Sequence, residues 1–417
     1  MRRKIITELA NLYKKEELQI LNLLQECEKI NPYVTKVVKN RKVIDKSKIS
    51  TEEQIILDYY KLLLNKYCEI RFPNRSYIMT ELMNLVPHLH RYNAYTIYKF
   101  DFKDFFYNIS SKNIFKSIYD SVNLKPNEVK FLKTYTDKTT ELVPGIGLHN
   151  SLVEISGGLF DLEIKKMFRE GFLHYARYVD DCILILDEKV DKDKLEKDIS
   201  KLIKKCFGNG MEMNDDKTQH FNSGCVNFEI DYLGYVFKKG QDAHKPFKFG
   251  ISTKKLEKYN NQINKIILDY AIDRDVEALS LKLELVFKRV VYYGTRKNNE
   301  KYRWQVRGIS DSYKELKRFM KNNEDYSKIT RETETFFKWS VDRSFRTNRI
   351  PIPSKINNQL KNKKFVSCFV NNKALLLHQK IGLNHSDLKD KLSIVYKGSI
   401  GHFSYSDLAN KLLSEIK

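Results

Sequence analysis

Residues 174–186 read HYARYVDDCILIL, with two adjacent aspartates inside a run that otherwise has the texture of buried strand. Tyr175, Tyr178 and Val179 precede the pair, and five residues from Cys182 to Leu186 follow it. Taking one carboxylate out of water is costly unless a partner compensates, and two neighbours cost more. Successive side chains of a regular strand point to opposite faces. Asp180 and Asp181 can therefore serve one cleft only near the tip of a tight hairpin turn. Their repulsion then requires a cation, and a hard divalent ion with oxygen ligands suits it, particularly if a third carboxylate joins. Arg177 just before the turn adds a positive charge nearby.

The candidate third carboxylate stands upstream in YKFDFKDFFYNIS, residues 98–110. Asp101 ends a strand-like run, and Asp104 falls where a strand would point it to the other face. Asp101 beside the Asp180/Asp181 turn would complete a cluster able to hold two magnesium ions. Ions about 3.5–4 Å apart clamp the attacking and leaving oxygens of a phosphoryl transfer. A DD pair by itself is ordinarily a solvated turn or a cap; the conjunction carries the weight.

In this order, the motifs resemble the palm of reverse transcriptases. FDFKDFF is similar to their first catalytic motif and YVDD to their aspartate hairpin. PGIGLHNS (residues 144–151) resembles the loop-and-helix motif, MEMNDDKT the segment carrying Asn214 and Lys217, and DYLGYVF (231–237) the leucine–glycine hairpin at the primer end. The resemblance spans about residues 95–240. It implies that Asp101, Asp180 and Asp181 hold two Mg2+ ions, with Mn2+ able to substitute, and that Lys217 completes the catalytic set by serving the pyrophosphate leaving group. Phe102, Phe106 and Gly147, with Arg71 and Arg75 of the fingers, would contact the nucleotide. Phe106 would be the steric gate that disfavours a ribose 2′-hydroxyl, although Phe105 could fill a core role equally well. Tyr178, Ser151, Leu233, Gly234, Arg303 and Arg307 would face primer and template. The match departs at Ile146, where many relatives carry a polar residue.

The rest of the chain agrees with a polymerase. Its 75 Lys+Arg against 53 Asp+Glu leave +22 formal charge, which suits a polyanionic partner. The N-terminus has no signal peptide, no window approaches a membrane span, and the six cysteines show no zinc spacing. These features point to a cytoplasmic protein. Helical spacing covers 3–30 and 51–68, with a basic connector or small hairpin between them. After 252 the pattern is mainly helical: 253–272, 277–293, 309–322, 331–342 and 404–416. Basic and aromatic residues interleave at 290–319, including Arg296, Lys297, Lys301, Tyr302 and Trp304, as single-stranded nucleic-acid surfaces do.

The expected fold is α+β, a right-hand polymerase with an antiparallel palm sheet and a mainly helical thumb. Its parts are helical fingers at 1–94, palm at 95–250, and thumb with C-terminal extension at 251–417. The expected partners are an RNA template, a DNA product and deoxynucleoside triphosphates. A dedicated non-coding RNA, a homo-oligomer and a partner protein stay open. The compact layout, without ribonuclease H or integrase patterns, is most similar to bacterial abortive-infection and defence-associated reverse transcriptases. The rival readings are an RNA-dependent RNA polymerase, a template-independent terminal transferase, and an idle RNA-binding scaffold.

Overall fold

The computed structural model describes residues 1–26, 32–296, 299–320 and 328–416, with side chains described except at 26, 121, 294–296 and 299–303. The chain forms two compact units, Met1–Ile78 with Tyr92–Cys225, and Met79–Arg91 with Val226–Lys417. The boundary expected near residue 250 lies inside the second unit, and the N-terminal helices share the first unit with the four-stranded sheet.

The first unit opens with α1 (Arg2–Tyr13) and α2 (Glu17–Glu26), then the hairpin β1 (Thr35–Val38) and β2 (Arg41–Ile44), and α3 (Thr51–Tyr67). The basic connector is therefore a hairpin. Ser50 caps α3 by accepting from the Glu53 amide. After α4 (Arg75–Leu85), which begins in this unit, come β3 (Thr96–Asp101), α5 (Phe105–Asn108), α6 (Ser111–Ser121), α7 (Pro126–Lys138) and α8 (Gly147–Met167). The hairpin β4 (Phe172–Tyr178) and β5 (Asp181–Leu186), α9 (Lys192–Phe207) and β6 (Gln219–Asn222) complete it. Gly208 ends α9 with φ +104°, a setting that glycine adopts at little cost. The sheet runs β4-β5-β3-β6 and is antiparallel at every pairing.

Alternation gives that sheet two faces. Phe100 of β3 packs against Phe160 of α8, and Phe102, just past the strand end, against Phe160 and Phe207 of α9. Cys182, Leu184 and Leu186 of β5 join the same core. Asp101, Lys99 and Asp181 alternate to the opposite face.

The second unit begins its sheet with β7 (Phe228–Tyr232), β8 (Tyr235–Lys239) and β9 (Lys248–Ile251), followed by α10 (Thr253–Asp273) and α11 (Val276–Phe287). The helix expected over 277–293 stops at Phe287. Residues beyond it form β10 (Val290–Arg296), which pairs antiparallel with β11 (Asn299–Arg307) and parallel with β12 (Leu375–Leu377). The remaining helices are α12 (Ile309–Ser312), α13 (Lys317–Met320), α14 (Arg331–Thr347), α15 (Ser354–Lys361), α16 (Lys364–Asn371), α17 (His385–Val395) and α18 (Tyr405–Ser414). Helices dominate this region as expected, but a small mixed sheet lies among them.

Candidate active site: three carboxylates on the four-stranded sheet

The β4–β5 hairpin pairs Tyr178 with Asp181, so Val179 and Asp180 alone form its turn. The neighbouring pairing sets Asp101 opposite Asp181, and the Asp180 carbonyl accepts the Phe102 amide at 3.3 Å. One oxygen from each of Asp101, Asp180 and Asp181 lies within 4.8 Å of the others. The three-acid cluster read from the sequence is assembled.

Burial and repulsion act on these acids together. Asp101 is only 3% exposed, and the other two are half-buried. Burial pushes the Asp181 carboxyl up to about 6, with the charge of Lys99 pulling the other way. Burial, then the Asp101 charge, raises Asp180. Lys217 donates to Asp101 Oδ1 at 2.9 Å, and that bond raises its own pKa and keeps it protonated. The Asn214 amide donates to the Asp101 carbonyl at 2.8 Å, so the segment carrying Lys217 is tied to the end of β3. Lys217, Lys99 and Arg41 supply the positive charge that acts on the cluster. Hard carboxylate oxygens, clustered and short of compensation, fit a divalent cation.

Arg41 and Lys99 were not anticipated. Lys99 was legible, because it lies two strand positions before Asp101 and shares its face. Arg41 was not, since only the fold brings β2 here; the Tyr107 hydroxyl donates to the Lys42 carbonyl, and the Ile44 amide to that of Pro144.

The other anticipated residues of the first unit differ in burial. Phe102 is 1% exposed and stacks on Phe105, so it is core and does not present a ring to a nucleotide. Ser151 is fully buried, its hydroxyl donating to Asn65 Oδ1 at 2.7 Å, and it joins α8 to α3 instead of facing template. Between the two adjacent phenylalanines, Phe105 is buried while Phe106 keeps partial exposure. Gly147 opens α8 where a Cβ would come within 2.6 Å of Lys61. Tyr178 is half-buried beside the turn; Arg71 is exposed before α4, and Arg75 begins it half-buried.

Leu233 and Gly234 form the β7–β8 turn in the second unit, both at positive φ. Arg307 closes β11, its guanidinium over the Tyr292 ring at 5.4 Å. The side chains of Arg296, Lys301, Tyr302 and Arg303, and Lys297 altogether, lie outside the described residues.

Arg177 faces the opposite way from the cluster. It is 7% exposed and binds Glu154 at 2.8 Å and Asp161 at 2.9 Å, both on α8. Its charge is taken up there, yet it also donates to the Val179 carbonyl at 3.2 Å.

The sequence profile of the reverse transcriptase (RNA-dependent DNA polymerase) family matches residues 3–237, more than half of the chain. The chain belongs to the reverse transcriptase family. As a reverse transcriptase it is classed as a nucleotidyltransferase, and the matched span contains Asp101, Asp180, Asp181 and Lys217. Among curated proteins none matches it in sequence.

Solved structures similar to this reverse transcriptase include telomerase from Candida albicans with a TWJ fragment of telomeric RNA (12% identity, 92% of this chain and 66% of that one, TM-score 0.40). Two others are telomerases from Candida tropicalis. The one with the RNA fragment gives 12% identity over 92% of this chain and 64% of that one, TM-score 0.37. The apo form, truncated from its C-terminal domain, gives 14% over 48% and 46%, TM-score 0.33. The chain spans less than two thirds of each. Among the described residues no helix is long and apolar enough to cross a membrane.

Proposed function

We propose that this chain extends a primer with deoxynucleotides on an RNA template, at the cluster of Asp101, Asp180 and Asp181. The observation that carries the reading is the convergence of these three carboxylates at the mouth of one hairpin, inside the span that matches the family. The acids would hold divalent cations, Mg2+ by donor type, with Mn2+ an acceptable substitute. Such ions, when bound, lower the pKa of a primer hydroxyl and stabilise the leaving pyrophosphate.

The protein's own groups divide the remaining work. Lys217, protonated and anchored on Asp101, offers a proton and a positive charge to the leaving group. Arg41 and Lys99 bring further positive charge to the acids and suit an incoming triphosphate. Phe106, partly exposed where Phe105 is buried, would reject a 2′-hydroxyl. The first unit would act as fingers and palm, with Tyr178 facing the primer, and the second as thumb and C-terminal extension. A role in bacterial antiphage defence, in the cytoplasm, belongs to the same proposal and rests on the compact layout alone.

Primer extension on an RNA template with labelled deoxynucleotides tests the reading. Asp180→Asn should lose about three orders of magnitude or more of incorporation while keeping its circular dichroism. Incorporation by the purified variant at the wild-type rate would overturn it. In the same assay Phe106→Ala should accept ribonucleotides about tenfold better, and unchanged discrimination would remove Phe106 from the gate. Plaque counts on a host expressing the chain should rise to the empty-vector level with Asp180→Asn if the defence role holds.

A further inference from the structure

The sheet β11-β10-β12 lies beyond residue 237, where the family match ends, and its two faces are unlike. Val290, Tyr292 and Leu377 turn inward and join Leu388, Leu392 and Leu408 in the apolar core of the second unit. The alternate positions Val291, Tyr293, Trp304, Val306, Leu376 and His378 fall on the other face, as the register of the three strands requires. On that face Tyr293 is 41% exposed, Trp304 48% and Val306 38%.

Three rings are gathered on it. Trp304 and His378 stack with centroids 5.2 Å apart and planes 30° apart, and Tyr293 meets Trp304 at 5.2 Å. A preformed group of rings at the surface suits a flat, apolar ligand, because little ordering remains to be done on binding. The flanking sequence supplies the complementary charge. Residues 288–307 contain seven Lys or Arg and one acid, Glu300. Of these cations Lys288 and Arg289 pair with Glu284 and Asp311, and Arg307 lies over Tyr292. Residues 371–382 add Lys373 and Lys380 and no acid. Rings for bases and cations for phosphates are what an unpaired nucleic-acid strand binds through stacking and charge.

We propose that this face is a stacking platform for single-stranded RNA. The choice of RNA over DNA rests on the polymerase reading above. In RNA-directed synthesis the template not yet copied is unpaired, whereas the DNA just made is paired with it. Stacking is tolerant of sequence, since every base has a π-face, so the platform would hold RNA without selecting a motif.

The chain has two tryptophans, Trp304 and Trp339, so Trp339→Phe leaves Trp304 as the sole reporter. The full-length protein is titrated with a 15-nucleotide oligouridylate without deoxynucleotides or divalent cations. Trp304 fluorescence should be quenched saturably. Trp304→Ala, followed by the anisotropy of labelled RNA, should weaken binding about tenfold or more. The slope of log affinity against log salt should stay unchanged, because the phosphate contacts remain. Trp304→Phe keeps a ring and should restore most of the affinity, which separates loss of stacking from misfolding.

Binding by folded Trp304→Ala within twofold of wild type would overturn the platform, as would unperturbed Trp304 fluorescence at saturating RNA. So would tighter binding of the equivalent deoxyribose oligomer, or a face shown to mediate self-association with RNA binding unaffected. The outcome is separable from that of the polymerase test, since Asp180→Asn should quench like wild type whatever its incorporation rate.

Discussion

Arg177 precedes Tyr178 in sequence, yet its side chain runs to the other side of the sheet. Sequence reasoning gave it a charge near the aspartates; the structure gives it a mechanical task instead. Val179 holds φ +62° in the β4–β5 turn, a costly setting for a β-branched residue, and its carbonyl is fixed by Arg177. The guanidinium fits only because position 157 is glycine: a Cβ there would lie 2.3 Å from Arg177 Nη2. Arg177→Met should cost about 3–5 kcal/mol, since it leaves Glu154 buried without its partner. Gly157→Ala should cost about 1–3 kcal/mol in the native protein through overpacking. Gly157→Ala creates a clash that Arg177→Met removes, so the double variant should be more stable than additivity predicts by about 1 kcal/mol. Guanidinium chloride unfolding of the four proteins measures the cycle, and strict additivity would refute the steric coupling. A carboxylate pair on an apolar helix, Glu154 and Asp161 with Gly157 between, was the sequence signal for this site. It could have been read before the fold was known.

At the scale of elements, the entry to α8 shows how a buried histidine sets a pH response. The Val143 carbonyl, 2.7 Å from His149 Nδ1, can only accept, so Nδ1 carries the proton and Nε2 accepts from the Tyr135 hydroxyl at 2.8 Å. Burial lowers the His149 pKa to about 4, with the bond to Val143 opposing. The neutral ring is therefore the folded form. Its contribution is complete above the unfolded value of about 6.5 and is lost as pH falls toward 4, because the unfolded chain takes up a proton first. Unfolding free energy measured between pH 7 and 4 should fall by up to about 1.4 kcal/mol per pH unit from this residue. His149→Gln should reduce that slope by close to one proton, and an identical slope would exclude the ring as its source. The elements themselves were legible to different degrees. The strands around Asp180 showed themselves as apolar runs on either side of the acid pair, and α9 by its amphipathic spacing and closing glycine. The segment 288–293 did not, because VVYYG follows α11 with no strong breaker and its strand pairs with β12 more than eighty residues away. The roles expected of Phe102 and Ser151 failed for a related reason. Motif spacing locates a residue on an element but leaves open whether the core takes its side chain.

For the whole molecule, the informative quantity is charge. A surplus of +22 over 417 residues admits two physical readings: solvated lysines spread for solubility, or a surface that exchanges counterions for phosphates. The ion pairs of the described residues favour neither, since most are single surface contacts of little energetic weight. The carboxylates argue for the second reading in one respect. The cluster that concentrates negative charge lies where Lys217, Lys99 and Arg41 offset part of it, so a polyanion approaching the first unit meets cations beside the acids. Counterion release converts this into a slope. With six to ten phosphate contacts, raising salt from 50 to 200 mM should weaken binding of a 30-nucleotide single strand by about 3 × 10²–10⁴-fold. Fluorescence anisotropy at four salt concentrations, with the strand unable to fold on itself, measures it directly. The plot of log affinity against log salt should be linear and steep, and Asp180→Asn should not flatten it. A loss of less than about tenfold across that range would assign the surplus to solubility and leave the partner to be recognised by shape and stacking alone.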